Sequence, residues 1–277
     1  MKTRVLITGA SGFIGSYLVK RLQDEYDIFE FDRKIDKMMD ITYSVKLDSV
    51  FTQFKPHYVI HLAAYCGEDE KENRDVNVSG TYNIVNICKR HNVELLLFSS
   101  SAAVYGNATV IPTPENCKLK PISPYGKSKM EAEKMIIESG IPYLKLRFSN
   151  VYGKGGRGIV SLLKDKDYKN KKKKTVVYLG TQTRDFIHIR DLTLAIKKCL
   201  KDQIYNTVLN LSTAKETSLV QLLLMTRAFS RITIKPPRNN EIHRSCLDNT
   251  KILQSIKWKP KVSIEEGVKY YETIKTE

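Results

Sequence analysis

The sequence predicts an α/β protein, with a doubly wound parallel sheet followed by a small C-terminal lobe. Three observations carry this prediction. Short β-rich apolar runs alternate with stretches of helical periodicity through the N-terminal half, as strand-helix-strand units do. A glycine-rich turn joins the first run to the first periodic stretch. Further on the alternation loosens, and prolines gather at Pro236-Pro237.

Arg4 to Thr8 reads as the first strand and Phe13 to Leu22 as the helix that follows it. Asp27 to Phe31 reads as the second strand, ending at Asp32, Tyr58 to Ala63 as the third and Glu94 to Ser99 as the fourth. Helical patterns at Ser44 to Phe54 and Val78 to Arg90 separate them. A helix at Pro124 to Glu138, a strand at Tyr143 to Arg147 and a loop holding Gly153, Gly155, Gly156 and Gly158 come next. Asp191 to Leu200 reads as a helix, Thr207 to Leu211 as a strand, and Ser218 to Phe229 as an apolar helix. The expected division is a sheet domain over 1–152 with returning elements at about 184–213, and a lobe built from 153–183 and 214–277.

Composition narrows the class. The chain has 277 residues, 42% apolar and 27% charged, which is ordinary for a globular protein. Its longest apolar runs fall far short of the ~20 residues of a membrane-spanning helix, so no membrane association is expected. Gly9, Gly12 and Gly15 interrupt the apolar stretch that a secretion signal would need. The five cysteines are spread without disulfide or metal-site spacing, so no metal is expected and a reducing, cytoplasmic setting fits. The net charge of +16 invites a nucleic-acid partner, but the excess is scattered apart from the Lys169–Lys174 run, which reads as a solvated loop; nucleic acid is not the expected partner.

The sharpest local signal is Thr8-Gly-Ala-Ser-Gly-Phe-Ile-Gly15, a G-x-x-G-x-x-G turn set between a predicted strand and helix. Glycine lets the backbone turn tightly and approach a pyrophosphate, whose charge meets unpaired N–H groups at the helix N-terminus. This is the dinucleotide fingerprint of a Rossmann-type domain, involving Gly9, Ser11, Gly12, Phe13, Ile14 and Gly15. Asp32 stands where an acidic residue accepts hydrogen bonds from an adenosine ribose, which favours NAD; Arg33 beside it could instead meet the 2′-phosphate of NADP.

Tyr125-Gly-Lys-Ser-Lys129 lies in a predicted helix, and its spacing puts phenol and ammonium one turn apart on one face. A phenol with a pKa near ~10 acts as a base at neutral pH only beside positive charge, which Lys129 and a nicotinium ring could supply. Ser99, Ser100 and Ser101 end the fourth strand at the carboxyl edge of the sheet, where ligands collect. A serine there can hold a sugar oxygen while Tyr125 moves its proton.

With these motifs in order, the sequence resembles the extended short-chain dehydrogenase/reductase superfamily, in its NAD-dependent epimerase/dehydratase branch acting on sugar nucleotides. The likeness extends through Asp40-Ile41, His61-Leu-Ala-Ala64, Asn77 to Thr81, Arg147 to Gly153, Arg184 to Asp191 and Trp258 to Gly267. It implies that Ser101, Tyr125 and Lys129 are catalytic, with Lys129 also holding the nicotinamide ribose. It further implies that Asp32 binds the adenosine ribose, that Asp40 and Ile41 edge the adenine, and that Leu62, Ala63, Ala64 and Ser99 line the dinucleotide. Asn150, Arg184 and Arg238 would engage the sugar nucleotide along with Ser101 and Tyr125, guanidinium forks being suited to a diphosphate.

The chain departs from the pattern in places. The segment Cys66 to Asp75 is short, and Asn239-Asn240-Glu241 replaces the usual glycine-acid pair after Arg238, which leaves Arg244 as a competitor. Ala102 follows Ser101 where sugar dehydratases carry an acidic pair, which argues against dehydration. The expected activity is reversible 4-epimerisation of a nucleotide hexose or hexuronate through a transient ketone. The alternatives are a reductase of 4-keto-6-deoxy sugar nucleotides and a non-enzymatic RNA- or protein-binding member. A homodimer is expected by analogy.

Overall fold

A computed structural model describes residues 1–164, 175–178, 181–227, 232–236 and 241–271. Its elements run β1 (Arg4–Thr8), α1 (Phe13–Leu22), β2 (Asp27–Phe31), α2 (Ser44–Phe54), β3 (Tyr58–His61), α3 (Glu70–Glu72), a π-helical turn at Asn73–Ser79, and α4 (Gly80–Arg90). Then come β4 (Leu95–Ser101), a 3-10 turn at Ala102–Val104, α5 (Pro124–Glu138), β5 (Tyr143–Phe148), β6 (Asn150–Tyr152), α6 (Ile159–Lys164), β7 (Thr175–Tyr178), β8 (Thr183–His188) and α7 (Ile189–Lys201). The described chain continues with β9 (Thr207–Leu211), β10 (Glu216–Ser218), α8 (Leu219–Thr226), β11 (Ile232–Lys235), β12 (Arg244–Ser245), α9 (Thr250–Ile256) and α10 (Ile264–Lys269).

The six runs read as main strands form one parallel sheet in the order β2-β1-β3-β4-β5-β9. Successive residues of a strand point to opposite faces, so each strand feeds two cores. Val5, Ile7, Leu95, Leu97, Leu144 and Leu146 pack on one face with α1 and α7. Leu6, Leu96 and Phe98 pack on the other with residues of α2, α4 and α5. On β5 the same alternation turns Lys145 and Arg147 toward α5, where both are buried. Strand order reverses at β1, so the crevice beyond the carboxyl ends of β1 and β3 is the place where a doubly wound sheet takes a ligand.

The second half differs in detail from the sequence reading. Among residues 184–213, β9 joins the main sheet, whereas β8 pairs with β6, β10 and β12 in a second sheet. β7 and β11 pair in parallel. A third core of Tyr152, Leu163, Phe186, Leu222, Leu223, Val268 and Tyr271 lies under this part. Helix α8 ends at Thr226, with Arg227 left-handed (φ 52°) as its C-cap, and the expected helix end at Phe229 lies outside the described residues. β3 ends at His61, two residues early, and the helix expected from Val78 is entered through the π turn. No helix among the described residues is long and apolar enough to cross a membrane.

Asp185 ties the two sheets together. Its buried carboxylate accepts from Thr213 N at 3.0 Å, Thr213 Oγ1 at 2.7 Å, Ala214 N at 3.0 Å and Leu247 N at 3.4 Å. Burial pushes this carboxyl above its ordinary pKa, while the hydrogen bonds oppose the rise.

Candidate active site

The crevice begins where β1 ends. Gly9 takes φ +72°, its N–H donates to Phe31 O at 3.0 Å, and its carbonyl accepts from Gly12 N at 3.0 Å. A Cβ on Gly9 would stand 2.7 Å from Ala63 N, and one on Gly15 would stand 2.2 Å from Gly9 O. These two positions therefore require glycine for the turn to close against the end of β3 and for α1 to close against the turn. Helix α1 starts with no side-chain cap and no acidic residue in its first turn, which leaves its N-terminal N–H groups for an anion. Phe13 and Ile14 pack half-buried on the core.

Asp32 follows β2 and is buried; its carboxylate accepts from Ser11 N at 2.9 Å and Lys34 N at 2.8 Å. It thus holds the glycine turn. Arg33 is paired with Asp40 at 3.6 Å. Asp40 also accepts from Thr42 N at 3.0 Å, and Ile41 is buried against Gly80, where a Cβ would meet Ile41 Cδ1 at 2.5 Å. Leu62 N and Ala63 N donate to Thr8 O at 3.1 Å and Thr8 Oγ1 at 3.2 Å, and Ala64 lies half-buried in the loop beyond. An anion-ready turn with a carboxylate at its shoulder suits a dinucleotide.

Ser101, Tyr125 and Lys129 come together at the carboxyl end of β4. Helix α5 is well started: Ser123 Oγ accepts from Gly126 N at 3.0 Å and Pro124 fills the first turn. One turn separates Tyr125 from Lys129 on its inner face. Lys129 Nζ donates to Ser99 O at 2.8 Å and lies 4.6 Å from the Phe98 ring centre and 5.9 Å from that of Tyr125. Burial lowers its pKa to about 8, against the opposing influence of Cys66 and Glu133. Burial, with a smaller push from Cys66, raises the Tyr125 phenol, and a hydrogen bond with Ser101 pulls it back.

Beside this trio lies a cleft of about 250 Å³ lined by Ser101, Phe148, Ser149, Asn150, Arg184, Ile242 and Ser245. Asn150 and Arg184 thus share a wall with Ser101. The Arg184 guanidinium is held by Thr183 O at 2.8 Å and Glu241 at 3.7 Å, and burial lowers its pKa. Arg238 and the Lys169–Lys174 run lie outside the described residues. Arg244 is occupied at the surface, where Glu216 accepts from its Nε at 3.0 Å and Nη2 at 2.5 Å.

Three features were not picked out of the sequence. Cys66 stands against the Tyr125 phenol, and no spacing pattern announced it. Glu133, one turn beyond Lys129, is buried and bonded to Ser100, Arg147 and Lys145; its place at i+4 from Lys129 was the available signal. Ser149 Oγ is buried in the cleft wall without a hydrogen-bond partner among the described residues.

Comparison with known proteins agrees with this geometry. A model of the NAD dependent epimerase/dehydratase family matches residues 5–211. The chain is 33% identical to a Methanocaldococcus jannaschii protein with a provisional UDP-glucose 4-epimerase assignment, over 96% of each chain. It is 30% identical to the UDP-glucose 4-epimerase of Lactobacillus helveticus, over 93% of this chain and 92% of the other. To the UDP-glucuronate 4-epimerase of Thermodesulfobacterium geofontis it is 27% identical, over 95% and 93%. The crystal structure of UDP-glucose 4-epimerase from Thermotoga maritima with UDP-glucose superposes with a TM-score of 0.85 at 28% identity, covering 97% of each chain. Sheet, glycine turn and Tyr-Lys helix therefore have one explanation: the chain belongs to the NAD-dependent epimerase/dehydratase family.

Proposed function

We propose that this protein is an NAD-dependent 4-epimerase of a nucleoside diphosphate sugar. The observation that carries the reading is the meeting of Ser101, Tyr125 and Lys129 at the edge of the cleft that holds Asn150 and Arg184. The substrates named for the relatives support it.

In this reading the glycine turn and Asp32 hold the adenosine and pyrophosphate of NAD, and Lys129 takes the hydroxyls of the nicotinamide ribose. Bound NAD supplies the hydride acceptor and a positive ring beside the phenol. Tyr125 takes the proton of the sugar 4-hydroxyl and later returns it. Ser101 donates to the same oxygen, holding it in place while the ring carbon becomes a ketone. The Lys129 ammonium, kept by burial from bulk water, favours the phenolate by charge. Arg184 and Asn150 orient the diphosphate end, so that the hexose alone is free to turn between the two hydride transfers. The lobe carrying the third core forms the substrate-binding side, and a homodimer through α4 and α5, which expose Tyr82 and Ile137, completes the proposal.

The test is proton NMR of UDP-, dTDP- and GDP-sugars incubated with enzyme and catalytic NAD, beside Tyr125→Phe. New anomeric signals with the wild type alone are expected. No turnover with catalytic NAD, but turnover of 4-keto sugars with excess reduced cofactor, would replace the epimerase by the reductase.

A further inference from the structure

The chain crosses from the main sheet to the second sheet at one residue. β5 ends at Phe148 and β6 begins at Asn150, so Ser149 alone spans the seam. Its backbone is fixed from both sides, because Ser149 N donates to Leu211 O of β9 at 3.1 Å and Asn150 pairs with Phe186 of β8. Phe148 is the partner of Ser101 across β4 and β5, which puts Ser149 one residue beyond Ser101 on the neighbouring strand. Strand spacing and rise set the two backbones about 6 Å apart. Both serines line the cleft with Asn150 and Arg184.

Among the described residues, Ser149, Gln182 and Asp191 hold buried side-chain polar atoms without a hydrogen-bond partner, and Ser149 is the one of the three that lines the cleft. The residue is 6% exposed. A buried hydroxyl of this kind has given up hydration and gained no bond, a cost that alanine would not carry. A ligand that supplies the missing partner offsets it. The side chain turns about a single bond, so a change of rotamer brings Oγ to a group in the cleft. Its neighbours are already engaged: Ser101 Oγ accepts from Ala103 N at 3.2 Å, and Arg184 is held by Thr183 O and Glu241. Among the described residues, neither the glycine turn nor Asp32 lines this cleft, so the group that meets Ser149 belongs to the substrate.

We infer that Ser149 is a specificity residue of the substrate cleft, its hydroxyl holding a hexose hydroxyl that flanks the reacting carbon, at C3 or at C6. The inference rests on the nucleotide-sugar reading and deepens it. In that reading Ser101 takes the oxygen at C4 and Asn150 the diphosphate end, and Ser149 stands between them along the wall. A hydroxyl both donates and accepts, so one serine serves the hexose with either face toward the cofactor.

The test compares Tyr125→Phe with Tyr125→Phe/Ser149→Ala, both loaded with NAD, by calorimetric titration with UDP, UDP-glucose, UDP-3-deoxyglucose and UDP-6-deoxyglucose. Urea unfolding without ligand and turnover of UDP-glucose by the wild type and Ser149→Ala accompany it. Ser149→Ala is expected to weaken UDP-glucose about three- to tenfold. UDP and NAD should bind as before, and the loss should vanish for whichever deoxy sugar lacks the hydroxyl that Ser149 holds. The urea midpoint should stay or rise, since the variant removes an unpaired buried group, whereas a merely structural serine would lower it. A loss that persists with both deoxy sugars, extends to UDP or falls on NAD instead overturns the inference while leaving the epimerase reading standing, and so does a lowered midpoint with unchanged sugar binding. Failure of UDP to bind either protein overturns both. A hydroxyl-specific loss in binding without wild-type turnover keeps the role of Ser149 and removes the epimerase.

Discussion

The guanidinium of Arg147 meets the carboxylate of Glu133 edge to edge, through Nε at 2.9 Å and Nη2 at 2.7 Å, in the interior between β5 and α5. Ser100 Oγ donates to the same carboxylate at 2.5 Å, and Lys145 Nζ lies 3.5 Å away. Burial alone would raise the Glu133 pKa, but the bonds and charges of Arg147 and Lys145 carry it below the ordinary value.

Removing that carboxylate's charge leaves two buried cations without their counterion. Glu133→Gln is expected to destabilise the fold by about 3–5 kcal/mol, read as a lowered urea midpoint. Glu133→Gln/Lys145→Met, which removes one cation as well, should recover part of the loss. An unchanged midpoint in the single variant would show that the cluster is not holding the fold.

At the glycine turn, two neighbouring substitutions should differ. Gly15→Ala forces a Cβ to within 2.2 Å of Gly9 O and 2.6 Å of Ala10 O, whereas Gly12→Ala meets Gly9 O at 3.0 Å. Gly15→Ala should cost about 1–3 kcal/mol and abolish NAD binding. Gly12→Ala should be milder for stability, and calorimetric unfolding of the two with and without NAD compares them.

Cofactor choice is expected to turn on Asp32. Arg33 is drawn to Asp40, and in the proposed reading the carboxylate of Asp32, which holds Ser11 N, would accept from the adenosine ribose and repel a 2′-phosphate. Asp32→Ala is expected to weaken NAD binding by about tenfold or more and to narrow or reverse the NAD to NADP preference. Parallel titrations with both dinucleotides test this, and an undiminished preference for NAD would place the discrimination elsewhere.

His61 makes the fold acid-sensitive. Its ring lies between Thr8 Oγ1 at 2.7 Å and Thr81 Oγ1 at 3.0 Å, and burial, aided by the charge of Lys129, lowers its pKa to about 3 from 6.5. Thr81 donates onward to Asn77 O at 2.5 Å, so Nε2 carries the proton and Nδ1 accepts from Thr8. Below about 6.5 the unfolded chain binds a proton that the native ring refuses, so the stability present above that pH is lost as pH falls toward 3. Burial lowers His188 to about 4 in the same sense. His61→Gln should be less stable at pH 7.5, yet should lose less between pH 7.5 and 4.5 than the wild type. Equal losses on urea titration would clear His61 of the effect.

The parallel sheet was legible because each of its strands is a compact apolar run between helical patterns, and burial on both faces writes that run directly into the residues. The second sheet was not. Its strands are as short as Arg244–Ser245, and their pairings join segments far apart in the chain. The spacing of Tyr125 and Lys129 announced a shared face, and the same helix arithmetic extends to Glu133. What it could not convey was that β5 turns Lys145 and Arg147 toward that face. Arg33 and Asp40, each assigned separately to the adenosine end, bond to one another, a contact set by the path of the loop between them. Cys66 reaches Tyr125 through the turn that Asn73 and Asn77 hold, and neither composition nor periodicity encodes such a closure.

The carboxylate of Asp185 bears on how the molecule can open. Four donors from the loop after β9 and from the segment after β12 converge on it, out of water. Swinging the second sheet away from the first would strand that charge and its donors together, so the junction behaves as a weld. Entry and exit of a bulky ligand must then be handled by local yielding of surface segments, with the two sheets moving as one block.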